Sequence, residues 1–321
     1  MTGTPSPVLE AEALLEELDT PDEGVDVVAF GGGHGLACAL RAILHYAGRI
    51  SAVVTVADDG GSSGRLSPDL GIPPPGDIRR ALLALSPRPS MWRELMAFRF
   101  EESDVAGHSL GNLLLAALAE ITGDFEEALR MAGGMLGARG RVIPAARRPL
   151  VLEALVDGEV VRGQVAIATA SGPPSELRLV PGETEATPAA LDAVASADQI
   201  VLGPGSLFTS VIAGLKVGAI ADAVNSSAAR LVYVCNLTTQ DGETLGMSGG
   251  DHVAALSAHG GIRPPDAVVV HDGPLAVPPG LARVTGDDIT APVESADLAD
   301  PSASWPAHDP ARLGAVLRRL A

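Results

Sequence analysis

Aromatic residues are scarce in this chain of 321 residues: two Trp, two Tyr and five Phe, 3% in all. Any core must therefore be aliphatic, and an apolar content of 46% supplies one amply. Lysine is almost missing. Lys216 is its one instance, so arginine carries nearly all the positive charge. Cysteine is reduced to Cys38 and Cys235, far apart and without metal-ligand spacing. That excludes a disulfide-stapled scaffold and fits buried free thiols in a reducing compartment. No apolar run is long enough to span a membrane, and no charged-then-apolar leader opens the chain. The expectation is a soluble, cytoplasmic protein. Positive charge is short as well: 22 Lys and Arg face 40 Asp and Glu, a net charge of −18. Such a surface repels nucleic acid and anionic lipid, so neither is an expected partner. An anionic small ligand would need local help from arginines, helix N-termini and backbone N–H groups.

What is present is an alternation of short apolar runs and helical periodicity. Residues 1–25 are rich in Pro, Thr, Glu and Asp and read as a flexible tail, although 10–18 ("EAEALLEEL") has the composition of a short helix. Order begins at "VDVVAF" (25–30), an apolar run ending in glycines, followed by a helical pattern and a second apolar run, "ISAVVTVA" (50–57). Strand, glycine-rich turn, helix, strand is a βαβ opening. Further strands are expected at 160–168, 199–202, 230–235 and 267–271. Helices are expected at 76–84, 92–98, 112–122, 125–133, 188–195, 209–216 and 250–259. This predicts an α/β fold: a Rossmann-like, doubly wound, mostly parallel sheet whose ligand site lies outside the carboxyl ends of the strands. There is no internal repeat. The expected domain is 26–275, and 276–321 reads as an extension whose end, "DPARLGAVLRRLA", is an amphipathic helix.

Several stretches fall at those carboxyl ends. "FGGGHG" holds Gly31, Gly32, Gly33, His34 and Gly35 between a strand and a helix, where glycines let backbone approach a phosphate. A tight turn alone would use the same residues. The spacing is not the dinucleotide fingerprint and no acidic residue closes the second strand in the usual way, which argues against NAD. His34 reads as a ligand contact or a solvated turn residue. "TVADDGGSSGRL" adds Asp58, Asp59, Gly60, Gly61, Ser62 and Ser63. The two carboxylates suit a hard cation or sugar hydroxyls, and the glycines and serines suit an anion; an acidic surface loop is the plainer reading. In "PPPGDIRRALLAL", Asp77 or its neighbour Gly76 caps a helix whose first turn carries Arg79 and Arg80. Bases there oppose the helix dipole unless an anion is near. "GHSLGNLLLAAL" places His108 and Asn112 ahead of an apolar helix, without the G-x-S-x-G elbow of a hydrolase. "VLGPGSLFTS" puts Gly203, Pro204, Gly205, Ser206 and Thr209 at another strand-to-helix turn, and "CNLTTQDGET" ends a further strand with Asn236. His252 and His259 are two helical turns apart, too few ligands for a metal site.

Taken in order, "GGGHGL", "VTVADDGGSSGRL", "PPGDIR", "GHSLGNLLLAAL", "ITGDF", "LGPGSLFTS", "CNLTTQ" with "GET", and "DH" resemble the YvcK family of gluconeogenesis factors, within the CofD-like superfamily of 2-phospho-L-lactate transferases. The likeness runs from Val27 to Asp272. It implies a CofD-like fold and a protein that binds UDP-N-acetylglucosamine or a related nucleotide sugar. It implies a regulator of cell-wall precursor supply, cell shape and growth on gluconeogenic carbon, with no catalytic residue assigned. A homo-oligomer and a protein partner in cell-wall synthesis are further expectations. Carried over, Gly31 to Gly35 and Gly205 to Thr209 become nucleotide-phosphate contacts. Asp58 and Asp59 match the paired aspartates that serve metal and acceptor in the transferase branch, so Mg2+ there is the one cofactor implied. The alternative function is accordingly a Mg-dependent transferase that moves a phospholactyl-type group from a nucleotide-activated donor. The family turn often has Thr where this chain has His34.

Overall fold

A computed structural model of the protein describes residues 24–102 and 104–321. The tail and its short helical stretch at 10–18 lie outside the described residues.

The main sheet is built from seven strands: β1 (Val25–Gly31), β2 (Ala47–Val54), β3 (Arg141–Pro144), β7 (Gln199–Leu202), β8 (Arg230–Val234), β9 (Ala267–His271) and β10 (Val293–Ala296). Three strands between them, β4 (Val151–Val156), β5 (Glu159–Arg162) and β6 (Glu176–Val180), make a separate antiparallel sheet. The main sheet has the order β10-β9-β8-β7-β1-β2-β3 and every pair in it is parallel. The chain thus steps outward from β1 in one direction through β2 and β3. It returns to the other side of β1 with β7 and steps outward again. The expected doubly wound sheet is present, and its switch point lies between β1 and β7, where Phe30 is paired with Val53 on one side and Leu202 on the other.

Helices cover both faces. They are α1 (Gly33–Ile43), α2 (Gly61–Leu70), α3 (Pro75–Leu85), α4 (Met91–Ala97), α5 (Leu110–Thr122), α6 (Phe125–Leu136), α7 (Gln164–Ala168), α8 (Pro188–Ser196), α9 (a π-turn, Leu207–Ile212, running on into Ala213–Leu215), α10 (Ile220–Ser226), α11 (Gly249–Gly260) and α12 (Pro310–Arg319). Alternate residues of β1 face opposite ways, which divides the core. Val27 and Ala29 pack with α1, α3, α6 and α12. Val28 and Phe30 pack with α8, α9, α11 and the small sheet. Strands such as β7 and β9 are buried along their whole length and carry the apolar runs 200–202 and 267–270. Among the described residues no single helix is long and apolar enough to cross a membrane.

Two sequence expectations change. The segment 160–168 is not one strand. An Asp157-Gly158 turn, with φ of 51° and 84°, folds β5 back on β4 as a hairpin, and after Gly163 the chain becomes α7. "GGSSGRL" is not a loop either, because Gly61–Leu70 is helical. Residues 276–321 add β10 to the edge of the main sheet and lay α12 on α1, with Leu313, Val316 and Leu317 buried and Asp309 accepting from the N–H groups of Ala311 and Arg312.

Candidate functional site

The switch point brings two glycine turns into contact. The turn after β1 (Gly31 to Gly35) opens α1 on one face, and the turn after β7 (Gly203 to Ser206) opens α9 on the other. Gly35 lies against the second turn: a Cβ there would overlap the Pro204 carbonyl and sit 2.8 Å from the Gly205 Cα. Only glycine permits that approach. Asn236, at the end of β8, fastens the second turn. Its Oδ1 accepts from the Gly205 N–H at 2.6 Å and its Nδ2 donates to the Gly205 carbonyl at 2.7 Å. Three adjacent strand ends therefore line a crevice at the place where doubly wound sheets bind ligands.

The N-terminus of α9 is occupied from within. Glu243, 1% exposed, accepts from the backbone N–H groups of Phe208 (3.0 Å) and Thr209 (3.4 Å) and from the Thr209 hydroxyl. Burial raises its carboxyl above the ordinary range, opposed by these donors and the Ser206 hydroxyl. Thr209 is withdrawn into the core, and Gly205 and Ser206 are the half-buried part of that turn.

On the β2 side the paired aspartates part. Asp59 turns toward the small sheet, where its Oδ1 accepts from the Val165 N–H at 3.0 Å. Asp58 is half-buried and accepts from the Gly60 N–H at 3.0 Å. Its carboxyl is raised by burial first and by the like charge of Asp77 second, while Gly60 and Ser63 act against the rise. Asp77 in turn backs onto Gly32 and pairs with Arg80 at 2.5 Å. The Ser63 hydroxyl accepts from the Gly76 N–H at 3.0 Å and so joins α2 to α3. The carboxylate neighbours at the crevice are thus Asp58 and Asp77. Among the described residues no three His, Cys, Asp or Glu side chains converge as a metal-holding group.

Beyond them runs a chain of hydrogen bonds. Arg79 is buried, donating to Asn112 Oδ1 at 3.0 Å and to the Met96 carbonyl at 3.1 Å. Asn112 donates to Ser62 at 3.1 Å, and Ser62 lies 3.0 Å from His108 Nδ1. Burial, then Arg80 and Arg99, lowers the Arg79 guanidinium to about 10. His34 is exposed on the first turn of α1, and its charged form is disfavoured by partial burial and then by Arg80.

Residues 27–295 match the family described as 2-phospho-L-lactate transferase CofD. The chain belongs to the CofD family. Within it, this chain is 45% identical over 253 residues to a gluconeogenesis factor of Halalkalibacterium halodurans, covering 78% of this chain and 79% of that one. It is 45% identical over 247 residues to the gluconeogenesis factor of Bacillus subtilis, covering 76% and 78%. A crystal structure of a UPF0052-family member from Bacillus halodurans superposes with a TM-score of 0.87 at 38% identity, over 92% of this chain and 99% of that one.

Sequence reasoning passed over Glu243, which braces the second turn of this CofD-family chain, and over Arg65 and Arg99, which lie outside the crevice at the segment before α5. The signal for Glu243 was present, an acidic residue in a polar strand end facing a glycine-rich helix start. Arg65 and Arg99 carry no local pattern. Both hold the segment before α5 by its carbonyls: Arg65 donates to Ala106 at 3.0 Å and Arg99 to Gly107 at 2.6 Å.

Proposed function

We propose that this CofD-family chain is a regulatory protein that binds UDP-N-acetylglucosamine or a closely related nucleotide sugar at the β1–β7 switch point. In this reading it links that ligand to cell-wall precursor supply, cell shape and growth on gluconeogenic carbon, and acts in the cytoplasm as a homo-oligomer with a partner in cell-wall synthesis. The observation that carries it is the contact between the two glycine turns with Asn236 fastening Gly205. The N–H groups at the start of α1, where no side chain caps the helix, would hold a diphosphate without a basic surface, which suits a chain of net charge −18. The printed name of the curated relatives, gluconeogenesis factor, agrees with the metabolic part. Calorimetry at moderate salt tests it: saturable binding of UDP-N-acetylglucosamine supports the reading, and its absence ends it.

A second reading, a Mg-dependent transferase that moves a phospholactyl-type group, is favoured by one feature. The like charge of Asp77 adds to burial in raising the Asp58 carboxyl although Arg80 pairs with Asp77, and a cation would relieve that. These two residues fit a magnesium ion that takes its remaining ligands from a bound diphosphate and water; Asp59 does not share the position, since Val165 engages it. When bound, the metal would neutralise charge on the diphosphate. The residues of the chain would orient the acceptor, and Asp58 would hold its hydroxyl proton. Incubation with a deazaflavin acceptor, guanylylated phospholactate and magnesium decides: product by mass spectrometry establishes a transferase, and none leaves the regulator.

A further inference from the structure

Three arginines and a histidine gather around the segment that joins α4 to α5. Arg65 on α2, Arg79 on α3 and Arg99 after α4 donate only to neutral oxygens, and no carboxylate of the described residues lies within ion-pair distance of any of them. With nearly two acidic groups for every basic one, 40 against 22, such neglect is unexpected by chance. The acidic residues of the same segment, Glu101, Glu102 and Asp104, are all exposed and bond none of these arginines. The cations crowd one another instead. His108 is held toward its neutral form by desolvation and then by Arg65 and Arg99, and Arg99 also acts on Arg79.

The hydrogen bonds there have a direction. Arg79 is a donor only, so Asn112 must accept with Oδ1 and present its NH2 to Ser62. In the tautomer that takes the Ser62 proton at Nδ1, the neutral His108 ring keeps an Nε2–H with no partner among the described residues. The first turn of α2, which bears Ser62, has no acidic side chain and no side-chain cap. The arginines repel one another, the donor chain in that tautomer ends in an imidazole N–H, and Ser62, which feeds it, sits on the uncapped first turn of α2. All three call for negative charge.

We propose that Arg65, Arg99 and His108 form a second anion subsite, adjoining the switch-point crevice and distinct from it, that takes the phosphate monoester of a small phosphorylated co-ligand. Two guanidinium forks and an imidazole N–H match three terminal phosphate oxygens better than the two of a carboxylate. The subsite goes beyond the nucleotide-sugar reading, and it would let the chain read a second metabolite beside the first.

The test is a titration of the full-length protein with inorganic phosphate at low ionic strength, following the His108 ring by NMR. Saturable shifts of that ring are expected, with its pKa raised toward the ordinary value as phosphate binds. Arg65→Ala with Arg99→Ala should weaken phosphate by about tenfold. Arg65→Lys with Arg99→Lys, which keeps the charge but loses the forks, should bind phosphate with an affinity between those of wild type and the Ala pair. The Ala pair should bind UDP-N-acetylglucosamine as wild type does. The proposal is overturned if the His108 ring does not respond, if the Ala pair binds phosphate like wild type, or if UDP-N-acetylglucosamine displaces the phosphate, which would make the cluster part of the nucleotide crevice. Should the nucleotide sugar not bind at all, the phosphate titration still gives its own answer.

Discussion

Replacing Asn236 separates the stability of the Gly205 turn from its use. In Asn236→Ala both bonds to Gly205 vanish. Each is worth about 1 kcal/mol net, so the loss is about 2 kcal/mol, softened where water reaches the half-buried turn. For a chain of 321 residues that lowers the unfolding midpoint by roughly 3 °C. A loosened turn must be ordered again on binding, so affinity for UDP-N-acetylglucosamine should fall by about tenfold. Asn236→Asp has nearly the same shape. It still accepts from the Gly205 N–H, but it sets a second oxygen against the Gly205 carbonyl and adds a charge. A unit charge about 6 Å from a phosphate costs roughly 3 kcal/mol at an effective dielectric of about 20. That corresponds to about a hundredfold in affinity. Differential scanning calorimetry and isothermal titration on the same samples give both quantities. The order expected is wild type above Ala above Asp for binding, with the Asp midpoint no lower than that of Ala. If the Asp variant binds no worse than the Ala variant, the turn does not face the diphosphate and the placement of the ligand is wrong.

Other perturbations follow from the same contacts. Gly35→Ala forces apart two backbone segments that have no side chain to yield, and should cost about 3 kcal/mol in urea unfolding together with nucleotide-sugar affinity; a neutral result would mean the two turns do not touch. Glu243→Ala should destabilise by about 3 kcal/mol, because the N–H groups of Phe208 and Thr209 and the Thr209 hydroxyl lose their acceptor. Glu243 has a raised folded-state pKa, so its contribution weakens as pH rises from the ordinary carboxylate range through that value; Glu243→Gln should lack this slope when unfolding is measured against pH. Buried His308, lowered to about 4, and His252 and His271, also lowered mainly by burial, are neutral in the folded protein and protonate on unfolding. Their contribution is whole above the ordinary histidine range and is lost as pH falls from there toward about 4, so the unfolding midpoint should drop between pH 7 and pH 5. A flat profile would refute the burial of these rings.

The local text of the chain was enough for the βαβ opening, the parallel strands at 199–202, 230–234 and 267–271, and most helices, because buried parallel strands and amphipathic helices each impose their own period on the sequence. It also marked the glycine turns, since a strand that ends in glycine and runs into a helix is a local event. The order of the strands was not local. Nothing in "FGGGHG" or "GPGS" says that the two turns touch; that follows from β7 returning to the side of β1 opposite β2. The fates of the charged residues were decided the same way. Asp58 and Asp59 are neighbours in the chain, yet one faces Asp77 and the other Val165, because different elements pack on each side of the segment between β2 and α2. Thr209 and Glu243 are far apart in sequence and meet only when α9 and the loop after β8 pack together. Sequence alone determined which residues stand at the carboxyl edge of the sheet. Tertiary structure alone decided which of them border the switch point and which spend their hydrogen bonds on one another, because partners across a sheet edge are set by packing and not by spacing along the chain.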